Sequence, residues 1–84
     1  MKKKHNLKCF VDRYKYIASG ECTADVRPDD RQFSVGDLII YHEGYPDKGL
    51  FHYTGNTITA KITYIDVWGL PRNYVNLSIK KLEN

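Results

Sequence analysis

With 84 residues, 13 basic and 10 acidic side chains, a net charge of +3 and 42% hydrophobic content, the chain has room for one domain with one modest core. A two-domain enzyme is excluded, and the weak positive balance permits contact with phosphate without demanding it. Cys9 and Cys22 are too few and too unpatterned for a disulfide scaffold, no Cys-x-x-Cys or histidine spacing marks a metal site, and no apolar run could span a bilayer.

Lys2, Lys3 and Lys4 are followed by no apolar run, so no secretory signal is expected and the default location is the cytoplasm. Residues 6–9 are short and extended. Phe10, Val11, Tyr14, Ile17 and Ala18 then fall at helical spacing on one face, which predicts a helix of about two or three turns after the first strand. Asp12, Arg13 and Lys15 lie on the other side, Asp12 suits the positive N-terminal end, and Gly20 supplies a left-handed cap. The helix should stop near Ser19.

From Cys22 the period changes to two. Cys22, Ala24 and Val26 alternate with Thr23, Asp25 and Arg27, the pattern of a half-buried strand whose polar face carries Asp25 and Arg27, and Pro28 ends it. Val35-Gly36-Asp37 predicts a tight turn into Leu38-Ile39-Ile40-Tyr41, and the Gly/Pro/Asp-rich residues 44–49 predict a loop between strands. Residues 57–67 alternate again, with Ile58, Ala60, Ile62 and Tyr64 on one face. The last strand, residues 74–81, points Val75, Leu77 and Ile79 the same way.

One helix and four or more strands cannot bury their apolar faces as an open sheet without leaving one side wet. Closure into a small β-barrel of about five or six strands, with the helix over one end, removes the exposed edges. The expected fold is therefore mainly β (α+β), a single domain over residues 1–84, with neither repeat nor linker.

Residues 19–37 concentrate charge between two regular apolar segments. Arg27 offers a planar fork suited to phosphate, carboxylate or a base edge, and Asp25 shares its face. An internal Arg–Asp pair fixing the loop explains the same residues equally well. Arg31 beside Asp30 has the same ambiguity. Alternation puts His5 and Lys8 on opposite faces of the first strand, so at most one of them borders the site, and no nucleophile is identifiable beside His5. Among seven tyrosines and one tryptophan, Tyr14 and Tyr64 fit the core, Tyr74 falls on the polar phase of its strand where a base could stack, and barrel-rim packing suits Trp68.

The chain resembles the small bacterial and phage branch of the ASCH domains, named after the activating signal cointegrator homology and part of the PUA-like superfamily. The resemblance is carried by His5-x-Leu7-Lys8, Gly20 with Thr23, Val26 and Arg27, Asp30-Arg31, Val35-Gly36-Asp37, Tyr53-Thr54-Gly55, Ile62-Thr63-Tyr64-Ile65, and Tyr74-Val75-x-Leu77-Ser78-Ile79-Lys80. It implies a compact PUA-like barrel with a cleft near the helix that recognises RNA or a nucleotide. The family signature is Gly-x-Lys-x-x-Glu-x-Arg. Gly20 and Arg27 match it, Cys22 stands in the lysine position and Asp25 in the glutamate position. Some ASCH proteins are amidohydrolases that use the signature lysine in catalysis, so Cys22 disfavours that activity here.

Three functions follow as expectations. The first is an RNA- or nucleotide-binding module without catalytic residues, cofactor or metal, using Arg27 and Asp25 with Thr23, Lys8, Arg31 and Tyr74 contributing. The second is a small hydrolase on modified nucleosides or RNA. The third is a regulatory domain that presents a sheet edge or residues 45–53 to a protein partner.

Overall fold

The computed structural model describes residues 2–82, in the order β1 (Lys4–Phe10), α1 (Val11–Ser19), β2 (Ala24–Pro28), β3 (Leu38–Asp47), β4 (Leu50–Asp66) and β5 (Tyr74–Lys81). The expected 1–84 domain thus includes Met1, Glu83 and Asn84, which lie outside the described residues. Among those described, no helix is long and apolar enough to cross a membrane.

The helix forms where its apolar spacing placed it. Gly20 closes it at φ 84°, a left-handed conformation that costs glycine nothing, and donates its N–H to the Ile17 carbonyl at 3.1 Å. Ile17 is buried, with Tyr14 and Ala18 packed partly against the same core. Phe10 is a correction: it ends β1 and is exposed rather than sharing the helix's apolar face.

The five strands form one sheet in the order β1-β3-β4-β5-β2, with β1 and β3 parallel and every other pair antiparallel. The expected barrel does not close, because β1 and β2 are the two edges and no ladder joins them. A side chain occupies part of the seam instead: Arg13 of α1 donates to the Ala24 carbonyl at 3.0 Å, an edge acceptor that a closing strand would otherwise use. The sheet still curls strongly. Tyr41 on β3 reaches across the interior to hydrogen-bond Asp25 on β2, at the far end of the strand order.

Ile58, Ala60 and Ile62 of β4 and Val75, Leu77 and Ile79 of β5 all face the core, as alternation predicts. Tyr64 does not. Between the pairs Ile62–Ile79 and Tyr64–Ser78 the register slips by one residue, which turns Tyr64 outward and sets partly buried Ile65 opposite Leu77. Trp68, expected at a packed rim, is 88% exposed in the turn after β4.

Residues 44–49, expected as a loop, instead continue β3 and turn into β4 at Lys48 and Gly49, whose φ angles of 52° and 78° suit a two-residue hairpin turn. The resulting arm is set off by an irregularity between the pairs His42–Thr57 and Gly44–Tyr53. At that irregularity the Glu43 carboxylate accepts from the Thr54 hydroxyl at 2.6 Å and the Asn56 amide at 3.0 Å, which holds its pKa below the usual range.

His5, expected as a polar residue at a strand end, is buried and hydrogen-bonds Asp37 at 2.8 Å. Asp37 also accepts from the backbone N–H groups of Lys3 and Ser34, so it pins the 34–37 turn to the start of β1. This assembly lies apart from the cleft described next.

Candidate functional site: a cationic cleft between the open edges

A cleft lies at the open seam between β1 and β2, and buried Asp25 anchors the side chains of Arg27, Arg13 and Tyr41 that line it. The alternation of β2 holds, but with the opposite face inward: Asp25 is completely buried while Val26 is half exposed. Ala24 and half-exposed Val26 offer only a small apolar area to bury, while Cys22, before the strand, still packs partly against the core. Asp25 gains partners in return. Its Oδ2 accepts from the Tyr41 hydroxyl at 2.7 Å and from Arg27 Nε at 3.1 Å, while Arg13 Nη2 stands 3.1 Å from Oδ1 as an ion pair without hydrogen-bond geometry. A buried carboxylate is costly unless paired, and here two guanidinium groups and a phenol surround it.

The network has electrostatic consequences for its members. Burial, and then the Asp25 charge, push the Tyr41 phenol far above its ordinary value, so it stays a hydrogen-bond donor. Burial works against the Arg13 charge, but Asp25 and Cys22 outweigh it and raise its pKa. Burial also raises the Cys9 thiol, which keeps it protonated and a poor nucleophile.

Arg27 therefore has two roles in one side chain. Its Nε is tied to Asp25, as the internal-pair reading anticipates, while among the described residues its terminal nitrogens make no hydrogen bond. It lines a hollow of about 730 Å³ together with Asn6 and Lys8 of β1, Arg31 of the following loop, and His42 and Tyr53 of β3 and β4. A second hollow, about 240 Å³, shares Lys8 and Arg27 and leads to Arg13 and Tyr41. Lys8, Arg13, Arg27 and Arg31 outnumber the two carboxylates beside them, Asp25 and Asp30, and Arg31 is held only loosely by Asp30, at 3.9 Å. The arrangement suits a phosphate or another anion at Arg27, pre-aimed by Asp25.

Of the residues expected at the site, Arg27, Asp25, Lys8 and Arg31 come together. Tyr74 and Thr23 do not. Tyr74 borders a separate hollow with Asp29 and Arg72, and Thr23 lies near the helix C-terminus beside Lys80 and Lys81. Cys22, in the signature lysine position, lines that same helix-end hollow and gives its thiol hydrogen to the Ala24 carbonyl. Arg13, Tyr41, Asn6, His42 and Tyr53 line the cleft without having been among the expected site residues. Tyr53 was marked only as part of the Tyr53-Thr54-Gly55 match and of the 45–53 segment expected to meet a protein partner, whereas nothing local marks Arg13 or Tyr41 as site residues. No cluster of three or more His, Cys, Asp or Glu side chains suited to a metal occurs among the described residues.

Over 63 residues, 75% of its length, the chain is 33% identical to the "Uncharacterized 12.9 kDa protein in GpA 3'region" of Escherichia phage P2. The match covers 54% of that protein, so the chain spans about half the length of the curated relative it matches. Residues 4–79 match the family described as "Domain of unknown function (DUF3850)", and the chain belongs to that family.

Proposed function

We propose that the cleft is a nucleic-acid or nucleotide recognition site in which Arg27 binds a phosphate, in keeping with the resemblance to the RNA-directed ASCH domains. The observation that carries this reading is the half-buried Arg27 guanidinium, clamped through Nε by buried Asp25 and turned into a hollow shared with Lys8 and Arg31. Holding one edge of the fork in place lowers the entropy lost when the other edge meets an anion. Binding is favoured over turnover because the thiol nearest the cleft, Cys9, is buried with a raised pKa, and Cys22 replaces the signature lysine.

The test is fluorescence anisotropy of short labelled single-stranded RNA and matched DNA against wild type and Arg27→Ala, at low and moderate salt. Affinity should fall with salt, and Arg27→Ala should weaken binding at least tenfold, the loss expected for a charge-assisted contact of about 1.5 kcal/mol or more. Salt-insensitive binding that Arg27→Ala leaves unchanged would refute the assignment.

A further inference from the structure

The hairpin arm brings an aromatic row to the rim of the cationic cleft. Tyr53 is 57% exposed and meets His42 at 6.1 Å and 81° and Phe51 at 5.0 Å and 70°, so neither of these neighbouring rings lies parallel to it. Phe51 in turn stacks on Phe10 at 5.8 Å, and Lys8 Nζ stands 5.3 Å from its ring centre. The row is built around Gly44, where a side-chain carbon would collide with the Phe51 ring and the His52 carbonyl. His42 is steadied from behind by a 2.9 Å hydrogen bond with Asn6.

We infer that Tyr53 is a base-stacking subsite, and that the ligand of the cleft is a single-stranded polynucleotide whose phosphate lies at Arg27 while a neighbouring base stacks on the Tyr53 ring. This rests on the phosphate reading above and extends it to the class of ligand. Three features support it. Tyr53 lines the same hollow as Arg27, Lys8 and Arg31, so the stacking surface and the cations are continuous. Neither His42 nor Phe51 lies parallel to its ring, so neither already occupies it by stacking. The 730 Å³ hollow falls in the upper part of the size range of small-ligand pockets, leaving room beyond a single phosphate. A duplex keeps its bases stacked on one another and cannot offer one to Tyr53 without unpairing.

The experiment compares two fluorescein-labelled ligands with identical phosphates, a single-stranded tetra-adenylate and its abasic counterpart, on wild type, Tyr53→Ala, Tyr53→Phe and Arg27→Ala. Wild type should bind the tetra-adenylate about 5- to 150-fold more tightly than the abasic chain, the range for one stacked base. Tyr53→Ala should remove that preference and leave abasic affinity unchanged, Tyr53→Phe should retain it, and Arg27→Ala should weaken both ligands. Equal wild-type affinity for the two ligands, or equal weakening of both by Tyr53→Ala, would overturn the stacking subsite while the phosphate reading stands. Loss of neither ligand with Arg27→Ala, or no wild-type binding to either, would overturn both readings. Because Tyr53 is mostly exposed, thermal unfolding of Tyr53→Ala should match wild type closely, and this separates lost binding from lost structure.

Discussion

Asp25→Asn is the most informative single change, since it keeps the shape of the buried carboxylate and removes its charge. Three interactions are at stake: the 2.7 Å bond from Tyr41, the 3.1 Å bond from Arg27 Nε and the 3.1 Å ion pair with Arg13. Hydrogen bonds to charged groups contribute about 1.5–3 kcal/mol each. The arginines must be discounted, because their side chains are 39% and 21% exposed and recover water when the charge is lost. Tyr41, at 1% exposure, recovers none. The asparagine oxygen, standing where Oδ2 stood, can still accept from Tyr41 and Arg27, but as a weaker neutral acceptor, and its amide then faces the Arg13 guanidinium, donor against donor. The net loss comes to about 3 kcal/mol, against a total stability of roughly 4–13 kcal/mol for a domain of this size. With a urea slope near 1 kcal/mol/M, the midpoint should fall by about 3 M. Tyr41→Phe alone should cost about 2 kcal/mol, and the double variant less than the sum. An Asp25→Asn variant within about 0.5 kcal/mol of wild type, or strict additivity with Tyr41→Phe, would refute the proposed network.

Two further perturbations test the elements that frame the cleft. Gly44→Ala should destabilise by about 1–3 kcal/mol and speed amide exchange in residues 44–53, because the added methyl displaces Phe51; a melting temperature equal to wild type would contradict this packing. Asp37 is shifted by opposing effects: burial raises its carboxyl, but donors from His5, Lys3 and Ser34 together hold it below 3.8. A lowered folded-state value means the stabilisation is full above the unfolded pKa and is lost as pH falls through the folded one. The stability gap between wild type and Asp37→Asn should therefore shrink as pH falls below about 5, and a gap that persists unchanged to about pH 2 would count against the assignment.

Sequence pattern revealed the long periodic elements and missed what distant partners decide. The helix and its Gly20 cap were legible because apolar spacing and terminal chemistry agreed. The inner faces of β4 and β5 were legible because Ile58, Ala60, Ile62, Val75, Leu77 and Ile79 form two continuous alternations. The face of β2 was not, since Cys22, Ala24 and Val26 are too small to dictate it, and what buries Asp25 comes from Tyr41 on β3 and Arg13 on α1. The slip at Thr63 that exposes Tyr64 leaves no compositional trace. Glycine, proline and aspartate made the arm look like a loop, although beyond Gly44 strand β3 has no β1 neighbour and Pro46 is tolerated there. Whether the two edge strands would meet was not legible either, since no local pattern encodes a pairing of β1 with β2 or its absence.

The order of strands along the sheet also governs when the cleft can come into being. β2 is synthesised before β3, β4 and β5, yet its ladder partner is β5, with Ala24 paired to Ser78 and Pro28 to Tyr74. Until the C-terminal strand arrives, the β3–β4 hairpin and β1 can assemble around Tyr41, but Asp25 has no ladder to hold it against that phenol. Such long-range pairing slows folding, because the entropy of closing the intervening loop is lost before its contacts repay it. A nascent or truncated chain ending before Tyr74 would therefore expose the apolar edge of β4 and carry its Arg27 without a fixed anchor. The cleft should therefore take shape only in step with docking of β5.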